Sequence, residues 1–149
     1  MRQNHQRIAS LLKQYDGKAL RAHYLGYFAC FNRQLYFEAH EVLEPLWLEE
    51  RGRPNELFYK GLIQFAGAFV HLQKNRPGPA VALFGLARQN LKRYPDFYQQ
   101  LDVKGVCEMI DQFLLHLATQ NESPRQFSVG QRPKLFPIGF ELEVLGDLF

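Results

Sequence analysis

The sequence has few of the features that mark secreted or membrane proteins. It contains two cysteines in 149 residues, Cys30 and Cys107, and they form no CxxC pair. Cysteines this few and this far apart indicate free thiols in a reducing compartment rather than a disulfide framework. The N-terminal MRQNHQRIAS has no apolar stretch of signal-peptide length, and no segment has the roughly 20 apolar residues that span a bilayer. We therefore expect a cytoplasmic protein without a membrane partner.

A concentrated surplus of positive charge is also missing. The formal net charge is only +3, and the basic residues are scattered along the chain. Nucleic-acid-binding domains usually gather Lys and Arg onto one face or arm, so nucleic acid is not an expected partner. The minor alternative is a basic cluster near one end of the fold, formed by Lys74, Arg76, Arg88, Lys92 and Arg93.

What the sequence does contain is apolar residues at steps of three and four almost throughout, which is typical of helices. Short polar breaks separate these segments, and short connections favour antiparallel neighbours. The predicted fold class is therefore all-α, an antiparallel bundle of five to six helices within residues 1–122. A short helical turn is predicted after Pro95, and Asp102 is the predicted N-cap of the last helix. The helices are predicted over 3–14, 18–32, 34–49, 56–73, 79–93 and 102–120.

The remaining segment, 123–149, is predicted to be an extended apolar tail. Pro124, Gly130, Pro133 and Pro137 break helices there, yet much of the intervening sequence is apolar. An apolar tail needs covering. We expect it to pack on its own bundle or on a second subunit, which would make the protein a homo-oligomer.

A polar cluster interrupts the apolar pattern of two neighbouring helices. His40 and Glu44 are four residues apart and fall on the apolar side of the helix predicted over 34–49. Gln64 and His71 lie two turns apart beside the apolar stripe of the helix predicted over 56–73, in a strip of small residues. If these helices pack as an antiparallel hairpin, the four side chains converge.

Three further residues belong to the same motif. Glu38 and Glu41 flank the cluster on neighbouring faces of the helix. Trp47 is either a core anchor or the floor of a pocket beside the polar groups. Pro45 removes a backbone donor within this helix and is expected to kink it.

Three interpretations of the cluster stay open. The first is a buried hydrogen-bond network that sets how the two helices register. The second is a divalent metal site with His40, Glu44 and His71 as ligands, although the spacing is neither HExxH nor a paired ExxH. The third is metal-free acid–base chemistry on a histidine tuned by Glu44. Neither a catalytic residue nor a small-molecule ligand is identified by these patterns.

The two motifs together resemble the domain of unknown function 309 family. The resemblance rests on EAHEVLE at 38–44 and GLIQ at 61–64, with Trp47, His71 and Asn75 at matching positions, and covers about 31–91. It implies a small all-α, bundle-like domain and no particular activity. Gln34 departs from it, because a glycine is common at that position, and so does Pro45.

The sequence therefore favours a non-enzymatic binding or interaction module that associates with itself. The alternative is a metal-dependent enzyme, such as a hydrolase, centred on His40, Glu44 and His71.

Overall fold

The computed structural model describes residues 19–119, with side chains from residue 22 onward. This part of the chain forms five α-helices and one short hairpin, which confirms the predicted all-α antiparallel bundle. The helix predicted over 3–14 and the tail predicted over 123–149 lie outside the described residues. The elements are α1 Ala19–Asn32, α2 Tyr36–Glu49, α3 Glu56–Gln73, α4 Pro77–Leu91, β1 Phe97–Tyr98, β2 Leu101–Asp102 and α5 Val103–Thr119.

The C-terminal ends of α1 and α3 have the same capping geometry. After α1, Gln34 adopts a φ of 62°, and the amide of Leu35 donates to the carbonyl of Cys30 over 2.9 Å. After α3, Asn75 adopts a φ of 57°, and the amide of Arg76 donates to the carbonyl of His71 over 2.9 Å. Both ends are Schellman motifs, in which the residue after the helix takes the left-handed conformation that glycine favours. This geometry explains why a glycine suits position 34.

Helix α3 lies at the centre of the described fold. Its buried residues include Phe58, Leu62, Phe65 and Phe69, which face α1, α2 and α4. Phe69 stacks on Tyr36 of α2 at 5.0 Å between ring centroids and meets four further rings. Aromatic pairs at such distances add to the stabilisation from burial alone. The predicted apolar stripe of this helix therefore lies in the middle of the core.

Helix α2 runs through Pro45 without interruption from Tyr36 to Glu49. Pro45 is exposed, and the amide that it lacks would have faced the carbonyl of Glu41.

The helical turn predicted after Pro95 is wrong, because a two-stranded antiparallel hairpin stands there. Tyr98 pairs with Leu101, and the loop residues Gln99 and Gln100 have φ values of 46° and 62°. A two-residue loop with two positive φ angles suits the twist of a hairpin. The hydroxyl of Tyr24 donates to the backbone carbonyl of Gln99 over 2.8 Å and that of Tyr59 to its Oε1 over 3.1 Å. Contacts from α1 and α3 therefore hold a turn that Gln-Gln does not favour on its own.

The last helix begins as predicted. The carboxylate of Asp102 accepts a hydrogen bond from the amide of Gly105 over 2.9 Å, which is the N-cap geometry. Arg88 of α4 donates to both carboxylate oxygens of Asp111 on α5, at 2.5 and 3.2 Å. Within residues 19–119, no helix is both long and apolar enough to cross a membrane.

Candidate functional site

A pocket of about 330 Å³ opens between α2, α3 and α4. Helix α2 contributes Phe37 and His40, and α4 contributes Leu83. The remaining lining residues come from one side of α3 and the residue after it. Most of the wall is apolar, with a few polar groups at separate points. The lining residues from α3 and its end are Ile63, Gln64, Gly67, Val70, His71 and Lys74.

The pocket exists because α3 carries small residues on the side that faces α4. A methyl group added at Gly61 would lie 2.9 Å from Cγ of Leu91, so the two helices touch closely there. One and a half turns further along, a methyl group at Gly67 would lie 3.2 Å from Cδ1 of Leu83. A side chain at position 67 would therefore crowd Leu83 at the pocket wall. The strip of small residues seen in the sequence both allows the close approach and opens the pocket.

His40 and Glu44 form the pair that the helical spacing predicts. Nε2 of His40 lies 3.2 Å from Oε2 of Glu44, and their side chains are 33% and 45% exposed. The ring of His40 also contacts that of Phe37, with centroids 5.9 Å apart. His40 lines the pocket, while Glu44 stands one turn beyond it. The pair therefore forms one partly solvated edge of the pocket.

His71 lies further along the same wall. Its Nδ1 is buried and has no hydrogen-bond partner within the described part of the chain. A buried nitrogen without a partner is uncommon in folded proteins and calls for an explanation. The carbonyl of His71 is occupied by the amides of Lys74 and Arg76 at the end of α3. The backbone carbonyl of His71 is thus occupied at the helix end, and only the ring has a polar atom without a partner among the described residues.

Gln64 has a partner that the sequence analysis missed. Nδ2 of Asn90 donates to Oε1 of Gln64 over 2.7 Å, across the interface of α3 and α4. No spacing within either helix links residues 64 and 90, so only the packing of the two helices reveals the pair. Lys74, Phe37 and Leu83 were likewise not assigned to the site from the sequence.

Three of the predicted cluster residues thus line one pocket and Glu44 borders it, whereas Glu38, Glu41 and Trp47 do not line it. Glu38 is only 7% exposed and lies on the side of α2 near Cys30. Burial, and then the charge of Glu38, raises the pKa of the Cys30 thiol to about 12. Trp47 has Arg51 over its ring at 5.9 Å, and its Nε1 is buried without a partner in the described range.

The predicted metal ligands are not grouped around one point. Across residues 19–119, no three His, Cys, Asp or Glu side chains come close enough together to hold a metal ion. His40 and Glu44 pair with each other on α2, whereas His71 belongs to α3.

The basic residues do not form one patch either. Lys74 and Arg76 precede α4, whereas Lys92 and Arg93 follow it. The 15-residue helix between them is about 22 Å long at 1.5 Å per residue. Arg88, between the two pairs, is engaged with Asp111.

Comparison with known proteins matches one family and nothing else. No curated protein and no solved structure matches the chain significantly. The family model described as "Domain of unknown function (DUF309)" matches residues 24–92, which include α1 from Tyr24, α2, α3, α4 and every residue of the pocket wall. Residues 24–92 are therefore similar to the DUF309 family, which confirms the resemblance seen in the sequence for this segment.

Proposed function

We propose that the protein is a non-enzymatic binding module whose pocket between α2, α3 and α4 holds a small, largely apolar molecule. The observation that carries this proposal is the pocket itself, about 330 Å³ with a mostly apolar wall and a few polar groups at its edge. Small-molecule sites have this size and composition, since apolar surface supplies affinity and sparse polar groups fix orientation.

The state of His71 supports the same proposal. An unpaired buried nitrogen lowers stability by roughly 1–3 kcal/mol, and a bound molecule that pairs with it would recover part of this energy. The His71 residue lines the pocket, so a ligand there would lie beside an imidazole whose Nδ1 has no partner among the described residues. A ligand in the pocket would therefore supply the hydrogen-bond partner that Nδ1 of His71 lacks among the described residues.

The proposal is tested by filling the pocket. Val70 lines it, and Val70→Trp would occupy much of the space; Val81, 40% exposed and outside the pocket, supplies the matched variant Val81→Trp. Binding of the neutral dye Nile red is measured by its fluorescence, and circular dichroism verifies that both variants are helical. We expect Val70→Trp to weaken dye binding at least tenfold and Val81→Trp to leave it unchanged. Equal binding by the two variants would refute the proposal.

Elemental analysis of protein purified without added metal distinguishes the binding module from the alternative, a metal-dependent enzyme. Stoichiometric metal that disappears in His40→Ala would favour an enzyme centred on His40, Glu44 and His71. Metal at background levels in the unaltered protein removes that alternative.

Self-association through residues 123–149 stays a prediction, since these residues lie outside the described range. Light scattering of the intact chain checks it. A molecular mass equal to the 17.4 kDa of one chain at high protein concentration would contradict a homo-oligomer.

A further inference from the structure

We infer that the ligand of the pocket is an elongated monocarboxylate, held with its carboxylate beside Lys74 and its apolar body between α2, α3 and α4. This inference rests on the proposed binding function and adds the chemical class and the orientation of the ligand. Three features of the pocket support it: its length, the charges at its two ends, and the apolar surface between them.

The pocket is long because it follows α3. Its lining runs from Ile63 to Lys74, eleven residues apart, which corresponds to about 16 Å at the helical rise of 1.5 Å per residue. One end is marked by Gln64, which is held by Asn90, and the other by Lys74. A compact ligand would leave one end of such a groove empty, so an extended molecule fits it better.

The two ends differ in charge. Among the described residues of the wall, Lys74 alone carries a formal positive charge, and it stands where α3 ends. Helices α2 and α3 run antiparallel, since Tyr36 at the start of α2 stacks on Phe69 near the end of α3. Glu44, one turn after His40 on α2, therefore lies toward the Gln64 end and away from Lys74. An anionic group is attracted to the Lys74 end and repelled from the other.

Between these ends the wall is mostly apolar, apart from His40 and His71. Val70 and Leu83 lie on α3 and α4, and Phe37 lies opposite them on α2. Burying a methylene group against such a surface contributes about 0.8 kcal/mol, so an alkyl or aryl body supplies most of the affinity. The carboxylate then decides the orientation, because Lys74 is exposed and an exposed ion pair adds only about 1 kcal/mol or less.

This division of roles predicts a specific order of affinities. Octanoate, octanol and octylamine share one apolar chain and differ only in the charge of the head group. At neutral pH we expect octanoate to bind up to about fivefold more tightly than octanol, which is the ratio that an exposed ion pair supports. Octylamine should bind most weakly of the three, and added salt should reduce the advantage of octanoate.

The test is calorimetric titration of the full chain with the three compounds, using Lys74→Gln and the matched variant Lys60→Gln. Lys60 is an exposed lysine of the same helix that does not line the pocket. We expect the preference for octanoate over octanol to disappear in Lys74→Gln and to persist in Lys60→Gln. A preference that survives Lys74→Gln, or is absent from the unaltered protein, would overturn the inference.

The same titrations distinguish this inference from the binding function on which it rests. If the three compounds bind equally and Val70→Trp abolishes their binding, the inferred preference for a carboxylate is wrong, but the pocket remains a binding site. If none binds while Nile red still depends on Val70, the carboxylate class is again wrong. If neither they nor the dye respond to Val70→Trp, the binding function itself fails.

Discussion

Asn90 donates a 2.7 Å hydrogen bond from Nδ2 to Oε1 of Gln64 and so joins α4 to α3 at one end of the pocket. On the same side of α3, Gly61 contacts Leu91 closely. A polar pair inside a mostly apolar contact favours the one helix register that satisfies it. Gln64 of the predicted cluster therefore pairs with a residue of α4, and not with the histidines His40 and His71.

Removal of this hydrogen bond should destabilise the protein. Asn90→Ala leaves the partly buried carboxamide of Gln64 without its partner, so we expect the free energy of unfolding to fall by about 1 kcal/mol. Gln89→Ala, at the exposed neighbouring position, is the control and should change it by less than about 0.5 kcal/mol. Urea unfolding measures both, and an equal loss in the two variants would show that the pair adds no stability.

Two glycines in helices should respond to alanine in opposite directions. At Gly85 an added methyl group meets no atom of the described residues within 4 Å, so Gly85→Ala should raise the free energy of unfolding by about 0.5–1 kcal/mol through helix propensity. At Gly61 the methyl group would lie 2.9 Å from Cγ of Leu91, and forced repacking outweighs that gain. We expect Gly61→Ala to destabilise by roughly 1 kcal/mol. Thermal unfolding that ranks Gly61→Ala above the unaltered protein would disprove the close contact.

Replacing Gln34 with glycine, which suits the backbone conformation at this position, should stabilise the protein. Its φ of 62° is unfavourable for a residue with a side chain, by roughly 1–2 kcal/mol, and glycine avoids this but loses more chain entropy on folding. The net expectation for Gln34→Gly is a gain of about 0.5–1 kcal/mol in the free energy of unfolding. The control Gln112→Gly, at an exposed position inside α5, should instead lose about 1 kcal/mol. Melting temperatures that fall in both variants would contradict the argument.

Stability should decline in alkaline solution because buried acids keep their protons in the folded state. Burial raises the pKa of the Cys30 thiol from 9.0 to about 12 and raises that of Tyr27 above its ordinary value. The unfolded chain releases the Cys30 proton above pH 9 while the folded chain retains it. The stability that this proton supports is complete below pH 9 and is lost as the pH rises from about 9 toward 12.

The size of the effect follows from the same linkage. One such group lowers the free energy of unfolding by up to about 1.4 kcal/mol per pH unit in this window. Urea unfolding at pH 8 and pH 10 measures the decline, and Cys30→Ala should lessen it by roughly 1 kcal/mol despite a lower stability at both values. An identical decline with and without the thiol would exclude Cys30 as a source.

The helices could be predicted from the sequence because their signals are local. Apolar spacing located α2 and α3, and the capping role of Asp102 follows from its position just before the last helix. The hairpin at Gln99 could not be found this way. Its two positive φ angles are held by hydroxyls of Tyr24 and Tyr59, which are distant in the sequence, and Gln-Gln carries no turn signal of its own.

The same distinction between local and long-range contacts holds for the candidate site. The sequence by itself determined the five described helices and the pairing of His40 with Glu44, since both depend on contacts within one or two helical turns. Only the tertiary structure decided that Gln64 pairs with Asn90, that Lys74 joins the wall and that Trp47 does not. The pairing of α3 with α4 depends on how closely the two helices approach at two glycines, which is a matter of shape between separate segments and not of periodicity within either one.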